Sequence, residues 1–295
     1  MPSKAAIAFI SFAMLGFVAT LAILQRTFAP PGHYEVLALV LSESLLLLFY
    51  LLALEKLRNW IYRLARHGDY DRALRLNRFW AWFPGYGTTR EGLILFDAGR
   101  YEDAMQFLRP RAFKRNGTPR FRSMALYWYS LALDGSGRTA EAGALLEKAV
   151  LGAPDRNILK VALATCLLSQ EKEASVACYL LQQAIAADPG GQYYGAKSDR
   201  IKRHARLAWA LAACGRRSEA ELKIGEALAQ SREMRPDDEA GVHYFVGEAW
   251  RVMGETSKAR AEFERAITSS VEGNTALNAK KGLAKLDSKS SGFSV

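Results

Sequence analysis

Lys202 and Arg206 stand one helical turn apart in IKRHARLAW. An ammonium and a guanidinium at that spacing can each pair with carboxylate oxygens of one ligand. Tyr244, Glu248 and Arg251 recur at similar three- and four-residue spacing, as do Tyr127 and Leu131 before them and Trp209 just after Arg206. On a helix each group falls on one face. Such a set binds; nothing in it catalyses. Enzymatic chemistry needs a nucleophile with a base, paired carboxylates in a cleft, a metal set or a GxxxxGK[ST] phosphate loop, and none occurs at usable spacing. His33, His67, His204 and His243 are scattered, with no HExxH and no Cys/His cluster, so neither a metal nor a cofactor is expected. Cys166, Cys178 and Cys214 show no CxxC spacing and fall in segments of helical pattern. They read as small buried residues in a reducing compartment.

One titratable group stands where it is costly. Glu43 interrupts LVLSESLLLLFYLLAL, and an acid in the middle of a membrane span is penalised by a few kcal/mol. The run around it, about residues 36–54, and the uncharged residues 5–24 are each long enough for a hydrocarbon core of roughly 30 Å. A secretory leader fits less well, because the first run exceeds the usual 7–15 apolar residues and the nearest cleavage candidate, Thr27-Phe28-Ala29, is followed by Pro30 and Pro31. Residues 1–54 are therefore expected to form a two-helix transmembrane hairpin. Within it Glu43 either bonds protonated to the first span or meets a polar residue of another membrane protein.

Charge sets the expected orientation. Residues 1–54 are neutral, residues 55–122 hold fifteen Lys and Arg against seven Asp and Glu, and the remainder holds twenty-three against twenty-one. The basic segment directly follows the second span, which places the bulk of the chain in the cytoplasm with anionic lipid as the basic segment's partner. No RNA- or DNA-binding signature accompanies the charge, so nucleic acid is not expected as a partner.

The elements that must position the binding residues repeat. HGDYDRAL at 67–74, AGRYEDAM at 98–105, SGRTAEAG at 136–143, CGRRSEAE at 214–221 and MGETSKAR at 253–260 share a glycine, a polar stretch and an alanine. In ALYWYSLALDGSGRTAEAGALLEKAVLGAPD, Gly137 can take positive φ at a helix end. Ala142 and Ala149 allow close helix contact, and Pro154 stops the second helix. Ala177 and Ala184, Ala220 and Ala227, and Ala259, Phe263 and Ala266 follow at matching offsets. The phrase resembles the tetratricopeptide repeat (TPR) family, whose unit of about 34 residues is a helix hairpin.

That resemblance implies an all-α solenoid of about six helix pairs over residues 55–286, closed by a polar capping helix at TALNAKKGLAKL and followed by a disordered tail at 287–295. Three departures imply an irregular superhelix: Lys172 at the fourth glycine position, Arg111 in place of an alanine, and the stretched connection DPGGQYYGAKSDR. No Gly or Pro separates the second span from the first repeat helix, so one continuous helix from about Val36 to His67 is expected to serve both.

The family resemblance also implies a concave groove lined by each unit's first helix. Tyr127, Leu131, Lys202, Arg206, Trp209, Tyr244, Glu248 and Arg251 fall at groove-facing offsets. Lys202 and Arg206 resemble part of the carboxylate clamp by which some TPR domains hold acidic chaperone tails, although the clamp's asparagines are missing from the earlier units. The end of the first hairpin, with Arg75, Arg78, Phe79, Trp80, Trp82 and Phe83, is expected at headgroup level, where amphipathic rings are favoured. The paired spans before a helical array are similar in layout to the HemY-type inner-membrane proteins. The expected function is that of a membrane-anchored scaffold holding a protein partner at the cytoplasmic face of a bacterial inner membrane. The alternative is a receptor for acidic peptide tails.

Overall fold

A computed structural model describes residues 33–80, 89–114, 118–187, 197–270 and 273–291. Among these the chain is all-α. Unit one pairs α1 (His33–Arg66) with α2 (Tyr70–Trp80), unit two α3 (Thr89–Asp97) with α4 (Tyr101–Ala112), and unit three α5 (Pro119–Gly135) with α6 (Thr139–Gly152). Unit four pairs α7 (Asn157–Ser169) with α8 (Ala174–Ala186), unit five α9 (Lys197–Ala213) with α10 (Arg217–Ser231), and unit six α11 (Pro236–Val252) with α12 (Thr256–Ser269). A thirteenth helix, α13 (Asn274–Ser291), packs on α11 and α12.

The same turn joins the helices of every pair. In each, an amide reaches back five residues to a carbonyl of the first helix: Asp69 to Leu64, Arg100 to Leu95, Arg138 to Leu133, Lys172 to Leu167, Arg216 to Leu211 and Glu255 to Trp250, at 2.9–3.1 Å. This bond requires a left-handed residue just before its donor. Gly68, Gly99, Gly137, Gly215 and Gly254 supply it with φ between 73° and 92°. In unit four the left-handed residue is Glu171, at φ 55°. The glycine position is thus Glu171, one residue before the expected Lys172. The hydrogen-bond pattern, not the alanine spacing, sets the register of the turn.

Ala142, Ala149, Ala177, Ala184, Ala220, Ala227, Ala259 and Ala266 are all buried, seven of them at 0% exposure and Ala227 at 1%. A side chain that ends at Cβ takes up little room at such a helix contact. In unit two Arg111 remains partly exposed and Ala112 takes the buried place.

α1 is continuous, and its C-terminal part joins the array through Leu54, Ile61 and Ala65, all buried. Just before Leu54 the character changes: Leu45, Leu48, Phe49 and Leu52, a stripe at i, i+3, i+4 and i+7, are each at least half exposed. The expected span at 5–24 lies outside the described residues. Glu43 falls within α1, but its side chain is also outside them. Among the described side chains no stretch is long and apolar enough to cross a membrane.

At the other end α13 runs to Ser291, so residues 287–291 of the expected disordered tail are helical. Asp287 is held there by Arg260 of α12.

Candidate functional site

The first helices of units three to six, α5, α7, α9 and α11, form a wall that encloses a cavity of about 550 Å³ with α13 opposite. The superhelix curves far enough for α13 to touch units two and three. The Tyr101 hydroxyl donates to Asn274 Oδ1 at 2.5 Å, Lys281 Nζ donates to the Gly135 carbonyl at 2.8 Å, and that ammonium lies 5.7 Å from the Tyr101 ring centre. Leu277 packs so closely on Gly99 that a Cβ there would meet its Cδ1 at 2.3 Å. The groove is consequently bounded on the side a simple solenoid would leave open.

Six of the eight sequence-nominated groove residues line this cavity: Tyr127, Leu131, Lys202, Arg206, Tyr244 and Glu248. Trp209 does not. It is 1% exposed and stacks on Phe245 at 6.4 Å in the core between α9 and α11. Arg251 is also turned away, buried between Glu248 at 2.8 Å and Glu171 at 3.1 Å. Both residues share a helix with true lining residues, but a helix face about 100° wide separates groove from core, and periodicity alone left its edge undefined.

Within the wall most charges already have partners. Lys202 Nζ sits 3.3 Å from Asp199 and 3.0 Å from Asp238, which leaves it poorly placed as half of a carboxylate clamp. Burial opposes ionisation of Asp238, but Lys202 and Arg235 outweigh it and hold its carboxyl below the usual range. Arg203 donates to the Ala184 carbonyl at 3.5 Å. Arg206 differs. Its guanidinium carbon lies 4.0 Å from the Phe245 ring centre, and its buried Nε has no hydrogen-bond partner among the described residues. Burial pushes its pKa down to about 10. Burial also raises the Tyr244 phenol, reinforced by Glu248 and Asp134.

Sequence reasoning missed the acidic rim. Asp134 lines the cavity from the last turn of α5. Its carboxyl is raised chiefly by burial, against the opposing pull of a Thr139 hydrogen bond and of Lys281 and Lys285. The signal was an acid at the negative end of a helix, a position that calls for a nearby cation. That cation comes from α13, about 150 residues further on, which no local pattern reveals. Trp128, next to the nominated Tyr127, also lines the cavity.

Of the expected membrane-interface cluster, Arg75, Arg78 and Phe79 are exposed and Trp80 is partly buried, edge-on to Phe79 at 5.4 Å. Arg78 bonds Glu91 at 2.5 Å. Trp82 and Phe83 lie outside the described residues.

Cys166 and Cys178 are buried in α7 and α8, and burial pushes the Cys166 thiol up to about 11. Cys214 stands in the turn after α9, outside the helix expected for it. Among the described residues no group of three metal-ligating side chains comes together.

No family profile matches the chain, and no curated protein matches it. Solved structures do. NprR in complex with its cognate peptide NprX is similar over 82% of this chain and 75% of its own, at 13% identity and a TM-score of 0.52. A tetratricopeptide repeat protein from Parabacteroides merdae covers 82% of this chain and 93% of its own, with 14% identity and a TM-score of 0.44. YrrB, described as a TPR protein with an unusual peptide-binding site, covers 65% and 90%, with 20% identity and a TM-score of 0.38. At these identities the likeness is one of fold: this is an all-α array whose structural neighbours are TPR-like repeat proteins.

Proposed function

We propose that this chain is a scaffold that binds a protein partner on the concave face of its repeat array and is held at a membrane by residues 1–54. The observation that carries the binding reading is the cavity itself, walled by the first helices of four successive units and lined by Arg206, whose Nε has no hydrogen-bond partner among the described residues. NprR was solved with a bound peptide, and its likeness in fold agrees with an interaction role. The acidic-tail alternative keeps Arg206 but loses Lys202 to Asp199 and Asp238.

Anchoring rests on the two apolar runs of the sequence and on the exposed stripe from Leu45 to Leu52. A stripe that apolar in water would be an association hazard, whereas lipid or a first span would cover it. Arg75, Arg78, Phe79, Trp80, Trp82 and Phe83 would then rest at the headgroups. Glu43 would answer either the first span or a second membrane protein. The HemY-like layout and a bacterial inner membrane with the array in the cytoplasm belong to the same proposal.

Two measurements test it. Affinity purification from detergent-solubilised membranes should recover a partner that is lost with Arg206→Glu or with a groove-rim change such as Lys285→Glu, while helicity is kept. Retention of every partner by both variants rejects the groove. Cysteines introduced at Gln25 and Ser294 should be labelled from opposite sides of oriented vesicles, and equal labelling rejects the hairpin.

A further inference from the structure

The contacts of α13 with units two and three narrow the groove, and its cavity of about 550 Å³ is the size of a small-molecule site, in the range of roughly 300–1,000 Å³. Its charges can be followed one by one. Asp199 is paired with Lys202, Glu248 with Arg251, and Asp134 faces Lys281 and Lys285. Lys281 is bonded to the Gly135 carbonyl. Arg206 is stacked on Phe245 with its Nε out of solvent and unbonded among the described residues. Its Nε is a donor that a carboxylate oxygen could satisfy. Tyr127, Trp128 and Tyr244 also line the space.

We propose that the cavity binds a small organic monocarboxylate with an aromatic or branched apolar body, its carboxylate on the Arg206 guanidinium and its body against Tyr127, Trp128 and Tyr244. The fork of a guanidinium matches a carboxylate bidentately, and the apolar body replaces water on the rings. Inorganic phosphate, an anion without an apolar body, is the control for charge alone. This inference rests on the concave face being the binding surface, but not on which protein the scaffold carries.

The test uses the full chain in detergent micelles and follows thermal unfolding with phenylacetate, indole-3-acetate, 4-methylpentanoate, their neutral amides and inorganic phosphate, each at millimolar concentration. At least one carboxylate should raise Tm with saturation, while its amide and phosphate should not. Arg206→Met should abolish the carboxylate-dependent rise. Arg206→Lys should retain the charge but bind about tenfold more weakly, having lost the fork. Leu131→Trp, which fills the cavity and leaves Arg206 in place, should also abolish the rise and covers the case in which Arg206→Met does not fold. Equal shifts from acid and amide, a rise that persists in Arg206→Met or Leu131→Trp, or no shift from any of the three acids would overturn the proposal. Partner recovery in the affinity experiment is read separately. A partner lost with Arg206→Glu while no acid binds overturns the small-ligand site alone.

Discussion

His204 illustrates how a single side chain in this array can couple stability to pH. It lies on α9 with its Nδ1 buried and unbonded among the described residues. Burial lowers its pKa below the ordinary value of 6.5, and nearby Lys223, Arg200 and Arg203 push the same way against Glu226. The unfolded chain therefore binds the proton more readily. Stability from this group is fully present above about pH 6.5 and is lost as pH falls from there through the folded-state pKa. Chemical denaturation between pH 7.5 and 5 should show stability declining, and His204→Gln should flatten that slope; an unchanged slope would assign it to other groups. Trp209 makes the contrasting point. Being core and not groove, Trp209→Ala should cost about 3–5 kcal/mol, read as a lower denaturation midpoint, whereas a surface groove residue would cost little.

At the scale of helices and turns, two packing devices are open to measurement. The unit-four turn keeps the geometry of the others with Glu171 in the left-handed region, where a side chain costs roughly 1–2 kcal/mol. Glu171→Gly and Glu171→Ala both give up the ion pair with Arg251, but only glycine relieves the strain. The glycine variant should be the more stable of the two by about 1 kcal/mol after its entropy cost. The helix interiors hold the second device. A Cβ at Gly247 would stand 2.7 Å from the ring of Phe263, which is fully buried and also meets Gly282 on α13. Gly247→Ala should thus destabilise by about 1–3 kcal/mol. Gly225 on α10 has nothing within 4 Å, and Gly225→Ala should stabilise by about 0.5–1 kcal/mol. Equal effects at the two glycines would mean that α11, α12 and α13 are less tightly packed than described.

For the molecule as a whole the closing helix matters most. An ordinary cap covers the last apolar face, and α13 does this with Ala279 and Leu286 against Phe263 and Ala266. It does more by bonding Tyr101 and Gly135 in distant units. Those links are polar and partly exposed, worth about 1 kcal/mol each, so Tyr101→Phe and Lys281→Met should barely move the global midpoint. Hydrogen exchange should nonetheless quicken first at the start of α13, because local opening is set by the weakest contacts. If amides throughout the array quicken together, the ring closure is part of the core and not a separable clasp.

The repeat was legible in the sequence because its determinants are local. Glycine at a left-handed turn, alanine at a close helix contact and proline after a helix each act within a few residues, so the order of units, the alanine core and the continuous first helix could be read directly. Most of the groove wall was legible too, since one helix face carries it. Tertiary structure decided the rest. Glu171 took the turn position of unit four because backbone hydrogen bonds outweigh side-chain preference. Trp209 and Arg251 went to the interior because the edge of a helix face depends on what packs beside it. Lys202 is ion-paired with Asp238, a residue of the next unit. The curvature that brings Lys281 to Gly135 accumulates from small tilts at every unit interface, and no single stretch of sequence encodes that sum.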